Sequence, residues 1–257
     1  MKALKIIYLF FIGFILGVLP ASAQDSDIKE AADAYRTGDF AQSIELYENI
    51  INNHLLQGEE SAELYYNLGN AYFRDNQLGK AILNYERALL LDPGDGDTRH
   101  NLRFANLSTE DKIDSSQDLF FVNWFRGLQN MFNSNTWASI AIAFFILFLI
   151  CIAIYLFVKI LWARKASFFT GIVFLILLVV ANVFAFRQKD LRKNHKTAIV
   201  MAGAAQVMSS PDNNSNEVFQ LHEGTKVSIT DTDGNWFEIE IANGSVGWLY
   251  KESVEII

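Results

Sequence analysis

The chain has 257 residues, a formal net charge of −8 and a 51% hydrophobic composition, which allows one large domain or a few small ones. The acidic balance and the lack of a basic stripe exclude nucleic acid as a partner, because nothing is placed to displace counterions from phosphates. Its single cysteine, Cys151, lies in an apolar run and cannot form an internal disulfide.

The chain opens with MKALKIIYLFFIGFILGVLPASA. Lys2 and Lys5 precede an apolar core over 6–19, which has signal-peptide length and is shorter than a membrane span. Pro20 breaks the helix, and Ala21, Ser22 and Ala23 form a small-x-small cleavage site, so residues 1–23 read as an export signal. An uncleaved anchor is the alternative. No cysteine follows Ala23, which argues against a lipoprotein signal.

Residues 24–112 follow as a helical module. In its second half Tyr65, Leu68, Gly69 and Tyr72 recur at i, i+3, i+4 and i+7. Leu78, Ala81, Ile82, Tyr85, Ala88 and Leu89 repeat the apolar stripe after a break at 75–77. Gly69 and Ala81 are small where a large residue would be expected, which lets two helices approach closely. The second helix stops at Asp92, because the residue before Pro93 is pushed out of the helical region. This order resembles the tetratricopeptide repeat, a 34-residue helix–turn–helix unit, at Tyr65, Leu68, Gly69, Tyr72, Ala81, Tyr85, Ala88 and Pro93. A weaker copy runs over about 24–57 through Ala31, Tyr35, Gly38, Phe40, Ser43, Ile44, Tyr47 and Ile50. The better one spans about 62–95. Leu102, Ala105 and Asn106 mark a further helix over about 96–108, either a cap or the start of a third repeat.

The segment 113–136 carries Phe121, Trp124, Phe125, Leu128 and Phe132 on one helical face. That pattern suits a helix lying in a membrane interface, or one docked on the helical module. Residues 137–161 and 168–186 are apolar runs long enough to cross a bilayer, joined by a short basic loop at 162–167. They read as a transmembrane hairpin, so both chain ends emerge on one side. Lys159, Arg164 and Lys165 place the loop in the cytoplasm by the positive-inside rule. The basic linker 187–196 pulls the other way, and the leading export signal sets the orientation. Asn182 either bonds to the partner helix or lies near the interface.

Beyond 197 the period changes to two. Val227 and Ile229 alternate with polar residues, as do Phe237, Ile239 and Ile241. Asn243 followed by Gly244 is a tight-hairpin signal. About five short strands in about sixty residues suggest a small barrel. The order Leu221, Glu223, Gly224, Val227, Asn235, Trp236, Val246, Gly247, Trp248, Leu249 resembles the bacterial SH3 (SH3b) domain. Trp248 is expected in the core. Trp236 either joins it or lines a groove for a peptide or glycan. The fold class is thus a multi-domain membrane protein with all-α tetratricopeptide hairpins, a two-helix transmembrane hairpin and a small all-β SH3b-like barrel.

No catalytic constellation is visible. His54, His100, His195 and His222 fall in no metal-spacing motif, and no phosphate loop or nucleophile elbow occurs. The chain therefore reads as non-enzymatic, with no cofactor. Recognition is the expected activity. In tetratricopeptide modules the first helix of each repeat lines the concave face. The resemblance places Ile28, Ala32, Tyr35 and Arg36 there from the first repeat, and Glu63, Tyr66, Asn70, Phe73 and Arg74 from the second. Aromatic and arginine side chains concentrate binding energy.

Taken in order, these segments resemble the BatE-type proteins of the Bat aerotolerance family across the full chain. That resemblance implies partners among membrane-anchored von Willebrand A-domain proteins and a MoxR-type ATPase system, and a role in oxidative or envelope stress tolerance. The export signal and the hairpin together place both modules on the periplasmic side of a bacterial inner membrane. A peptidoglycan-sensing receptor acting through the SH3b domain is the alternative.

Overall fold

The computed structural model describes residues 24–113, 120–193 and 196–257. The expected export segment at 1–23 lies outside the described residues, as does His195. Two helical hairpins come first: α1 (Gln24–Thr37) with α2 (Phe40–Leu56), and α3 (Ala62–Arg74) with α4 (Leu78–Leu91). Asp39 and Ser61 cap α2 and α3, accepting from the Gln42 and Leu64 amides. Helix α4 has no such cap of its own, since Gln77 makes no side-chain cap bond.

The predicted stripes make one core. Ala31, Tyr47, Leu64, Leu68, Tyr72, Ala81, Ile82, Tyr85 and Ala88 are buried together. A Cβ on Gly69 would sit 2.8 Å from the Tyr85 ring, so the α3–α4 crossing depends on that glycine. Helix α5 (Gly96–Leu107) buries Leu102 and Ala105 on the same core. The chain leaves this helix at Ser108 and runs without helix to Ile113.

Next come α6 (Phe120–Gln129), α7 (Ser134–Phe157) and α8 (Leu161–Lys193). Helices α7 and α8 are long and apolar enough to cross a membrane, and little of either is buried in protein. They pack as a hairpin, with the Phe144 and Phe174 rings stacked at 6.1 Å. Cys151 is buried beside Gly171. The connection is a three-residue break at 158–160, inside the expected first span, and the expected loop at 162–167 is helical throughout. The expected linker is also helical as far as Lys193. Arginine, lysine and glutamine favour helix nearly as well as leucine, so a change from lipid to water need not end one. At 33 residues, α8 is about 50 Å long, against about 30 Å of hydrocarbon. Its charged end therefore projects as a rigid stem. Asn182 bonds neither neighbour proposed for it. Its amide donates to the Leu178 carbonyl one turn back on the same helix, at 2.9 Å.

Helix α6 docks on the base of this hairpin, not on the tetratricopeptide module. Phe125 meets Phe184 at 5.0 Å, and Trp137 meets Phe184 at 4.9 Å. The Trp137 indole and the Gln188 amide both donate to the Gln129 carbonyl, which pins the end of α6.

The C-terminal region is a seven-stranded antiparallel sheet in the order β3-β2-β6-β5-β4-β1-β7. The strands are β1 (Thr197–Val200), β2 (Ala204–Met208), β3 (Glu217–His222), β4 (Lys226–Asp233), β5 (Trp236–Glu240), β6 (Val246–Tyr250) and β7 (Val254–Ile256). Val200, Val207, Leu221, Val227, Ile239 and Leu249 fill its interior. The two strands beyond the expected five include β1, which follows the stem closely, and the short β7 paired with it. Both face the helices. Ile199 and Ile257 are buried in the tetratricopeptide core rather than in the barrel core. The two modules thus share apolar packing and form one body.

Candidate functional site

The face expected to be concave is the one that carries α1, α3 and α5. At one end Tyr35 and Phe40 meet edge to face at 5.5 Å, and the Arg74 guanidinium lies 4.7 Å from the Phe40 ring centroid. Arg74 reaches these rings because it occupies the last turn of α3, beside the α1–α2 turn. Phe73 meets Phe104 of α5 edge to face at 5.7 Å, and Phe104 remains 55% exposed. Tyr35, Phe40 and Arg74 thus form one aromatic–arginine cluster, and the next residue along α3, Phe73, forms a second aromatic pair with Phe104. Phe40 was legible as a repeat position but not as a surface residue. Phe104 lies on the cap, for which the repeat pattern gives no face.

The other expected residues have different settings. The Asn70 side-chain oxygen accepts from the Tyr85 hydroxyl at 2.8 Å and from the Asn101 amide at 2.8 Å. It ties α3, α4 and α5 together. Asn101 also reaches the Tyr66 hydroxyl at 3.4 Å, and the Tyr66 ring tilts over Tyr85 at 6.3 Å. Burial raises the Tyr85 hydroxyl above its ordinary pKa. Arg36 is exposed and paired with Asp33 on its own helix. Glu63 is exposed in the first turn of α3, at the opposite end of that helix from Arg74.

The SH3b face reverses one expectation. Trp236 is buried, at 8% exposure, with its ring 3.9 Å from that of Tyr250. Trp248 is only half-buried. The two lie on adjacent strands at different registers, Trp236 opposite Tyr250 and Trp248 opposite Glu238. The Tyr250 hydroxyl donates to Asn213 at 2.6 Å, fixing the Ser-Pro-Asp-Asn loop beside it.

A cluster that sequence reasoning missed joins the modules. One Asp111 oxygen contacts His222 Nδ1 at 2.8 Å, while the other accepts from the His222 amide at 2.7 Å and from the Thr225 hydroxyl at 2.6 Å. Burial alone would raise the Asp111 carboxyl, but the bonds from Thr225 and His222 outweigh it and hold it below its ordinary value. The Asp111 hydrogen bond raises the His222 imidazole against burial, with the charges of Asp111 and Glu110 adding to the effect. Gly224, at φ +88°, turns the chain between β3 and β4, and a Cβ there would lie 2.8 Å from Ile82. Lys226 pairs with Glu86 at 2.7 Å, and Arg87 holds Glu255 at 3.0 Å and the Ile256 carbonyl at 2.8 Å. No local signal marks these pairs, because their members are more than 100 residues apart.

Residues 62–95 match the family model of the tetratricopeptide repeat, and residues 203–255 match that of the bacterial SH3 domain. No curated protein matches the chain. Both are interaction modules without catalytic machinery of their own. Here they sit beside two helices able to cross a membrane. Protein–protein interaction and cell-wall binding are the activities that such modules suggest.

Proposed function

We propose that this chain is a non-enzymatic, membrane-anchored adaptor of the bacterial envelope, which binds a protein partner on the concave tetratricopeptide face. The observation that carries this reading is the Tyr35–Phe40–Arg74 cluster together with the Phe73–Phe104 pair. Arginine over aromatic rings is a preorganised, partly desolvated pair of the kind that dominates protein interfaces. The groove is short, with two repeats and a cap, so the occupant is a short segment of the partner.

Both modules are assigned to the periplasmic side of the inner membrane. The export-type start supports that side. The shared packing of Ile199 and Ile257 with the helical core supports a common side for the two modules. The likeness to BatE-type proteins supports a Bat-type complex in oxidative or envelope stress tolerance. Its partners would be a membrane-anchored von Willebrand A-domain protein and, through it, a MoxR-type ATPase. The test is co-purification of the full chain from native membranes. A specific partner retained by the parent and lost from the Phe73→Ala, Arg74→Ala double variant supports the reading. An unchanged partner set would remove the concave face from it.

A second reading, peptidoglycan sensing through the SH3b domain, is favoured by the Trp236–Tyr250 stack with half-buried Trp248 nearby. Sedimentation of the full chain with purified peptidoglycan tests it. Retention that Tyr250→Ala abolishes supports sensing, and no retention ends it.

A further inference from the structure

On the outer side of the second repeat, α2, α3 and α4 meet the top of the α8 stem and strand β7 around a cavity of about 830 Å3. Part of its wall is apolar, including Leu55, Leu90 and Leu91. Its rim carries seven charged side chains, and the three carboxylates among them are engaged. Glu48 accepts from the Tyr72 hydroxyl, Glu60 pairs with Arg192 at 2.5 Å, and Glu255 pairs with Arg87 at 3.0 Å. Lys80 and Lys193 also line the cavity, and neither has a carboxylate partner among the described residues. Lys80 is held 5.0 Å from the Tyr72 ring centroid. Four cations, Lys80, Arg87, Arg192 and Lys193, thus face three carboxylates, and the net charge of the lining is positive. In the same wall the Asn84 side-chain oxygen is buried without a donor among the described residues, while its amide donates to the Lys80 carbonyl at 2.8 Å.

The cavity stands at the membrane surface. Arg192 lies six residues beyond Phe186, the last large apolar residue before the charged end of α8. At helical rise that is about 9 Å, comparable to the roughly 5–8 Å depth of a headgroup layer. The α2–α3 link reaches the same level through the Glu60–Arg192 pair, and the end of α2 before it carries Leu55 and Leu56, 45% and 87% exposed. A smaller cavity, also bordered by Leu90, Leu91 and Arg192, continues down to Gln188 and to Asn133 at the start of α7.

We infer that the large cavity receives the headgroup of an anionic phospholipid from the adjoining leaflet. Lys80 and Lys193 neutralise the phosphate together with Arg192. Leu55, Leu90 and Leu91 cover the glycerol and the upper acyl carbons. A bound lipid would bridge the helical module, the stem and the last strand, and so hold the soluble unit in a fixed pose over the bilayer. This inference rests on α7 and α8 spanning a membrane, and not on the identity of the concave-face partner.

The test uses the full chain in a neutral detergent, titrated with dihexanoyl phosphatidylglycerol, dihexanoyl phosphatidylcholine or inorganic phosphate. Binding is read from the thermal midpoint and from lipid retained in native mass spectrometry. Saturable binding of phosphatidylglycerol is expected, at least tenfold tighter than the other two. The K80Q/K193Q variant, whose changes are at exposed side chains, should lose that preference about ten- to thirtyfold and keep its midpoint without lipid. Equal binding of inorganic phosphate would overturn the lipid source. Phosphatidylglycerol bound equally by the variant would overturn the site. Stabilisation by an apolar peptide with a free carboxylate, and not by lipid, would assign the cavity to a protein instead.

Discussion

The Gly79 amide donates a 2.7 Å hydrogen bond to the carboxylate of Glu223, 144 residues later in the chain. Gly79 is in the first turn of α4, whose own N-cap residue makes no side-chain bond, while its neighbours α2 and α3 are capped. The missing cap comes from the β3–β4 turn of the SH3b domain. An acidic group there also complements the positive end of the helix dipole. Glu223→Ala should lower stability by about 1 kcal/mol, as loss of a helix cap does. Urea unfolding of the full chain in micelles measures this. Adding Gln77→Asp, which restores a local cap, should recover most of the loss.

The Asp111–His222 contact makes the module junction pH-dependent. His222 is raised above its ordinary 6.5, so its contribution is full below that value and is lost as pH rises through the folded pKa. Asp111 is lowered below its ordinary 3.8, so its contribution is full above that value and is lost as pH falls through the folded pKa. The junction should therefore be firmest between about pH 4 and 6.5, and loosen toward pH 8. Amide exchange in 197–200 and 222–226 reads the change. H222Q should flatten the alkaline limb and leave the acid limb in place.

Asn70 and the Phe73/Arg74 pair should separate cleanly in their effects. Asn70 satisfies Tyr85 and Asn101 across three helices. Asn70→Ala should destabilise the helical module by about 1–3 kcal/mol, because the buried Tyr85 hydroxyl loses its partner. Phe73→Ala with Arg74→Ala should weaken partner capture with a smaller loss of stability, since Arg74 is exposed and Phe73 only half-buried. Paired melting and pull-down measurements on both variants distinguish a structural residue from a binding one.

Ile257 is 6% exposed within the helical core, although it follows the last strand of the barrel. Ile257→Ala should cost about 2–4 kcal/mol, within the range for emptying a buried isoleucine site. The loss should appear in the melting of α2–α4 as well as of the sheet. Two separate transitions, with only the sheet affected, would mean that the modules do not share a core.

The helical stripes and the change to period two at 197 were legible, because each reflects local burial of one face. So was Gly69, whose missing side chain admits Tyr85. The end of the stem was not, since basic residues suit both a helix and a linker. The repeat register puts Phe73 and Arg74 on the expected concave face, but it could not show that Asn70 spends its oxygen internally. Asp111, Glu223 and Arg87 were invisible as a group. Each looks like an ordinary surface charge until the fold brings its distant partner alongside.

The most direct measurement is site-specific photocrosslinking in native membranes. One photoreactive residue replaces exposed Arg36 on the expected concave face and another replaces Asn53 on the outer side of α2. A discrete protein adduct is expected from position 36, lost on Phe73→Ala with Arg74→Ala, with none from position 53. No protein adduct from position 36, or the same adducts from both positions, would contradict recognition through the concave face.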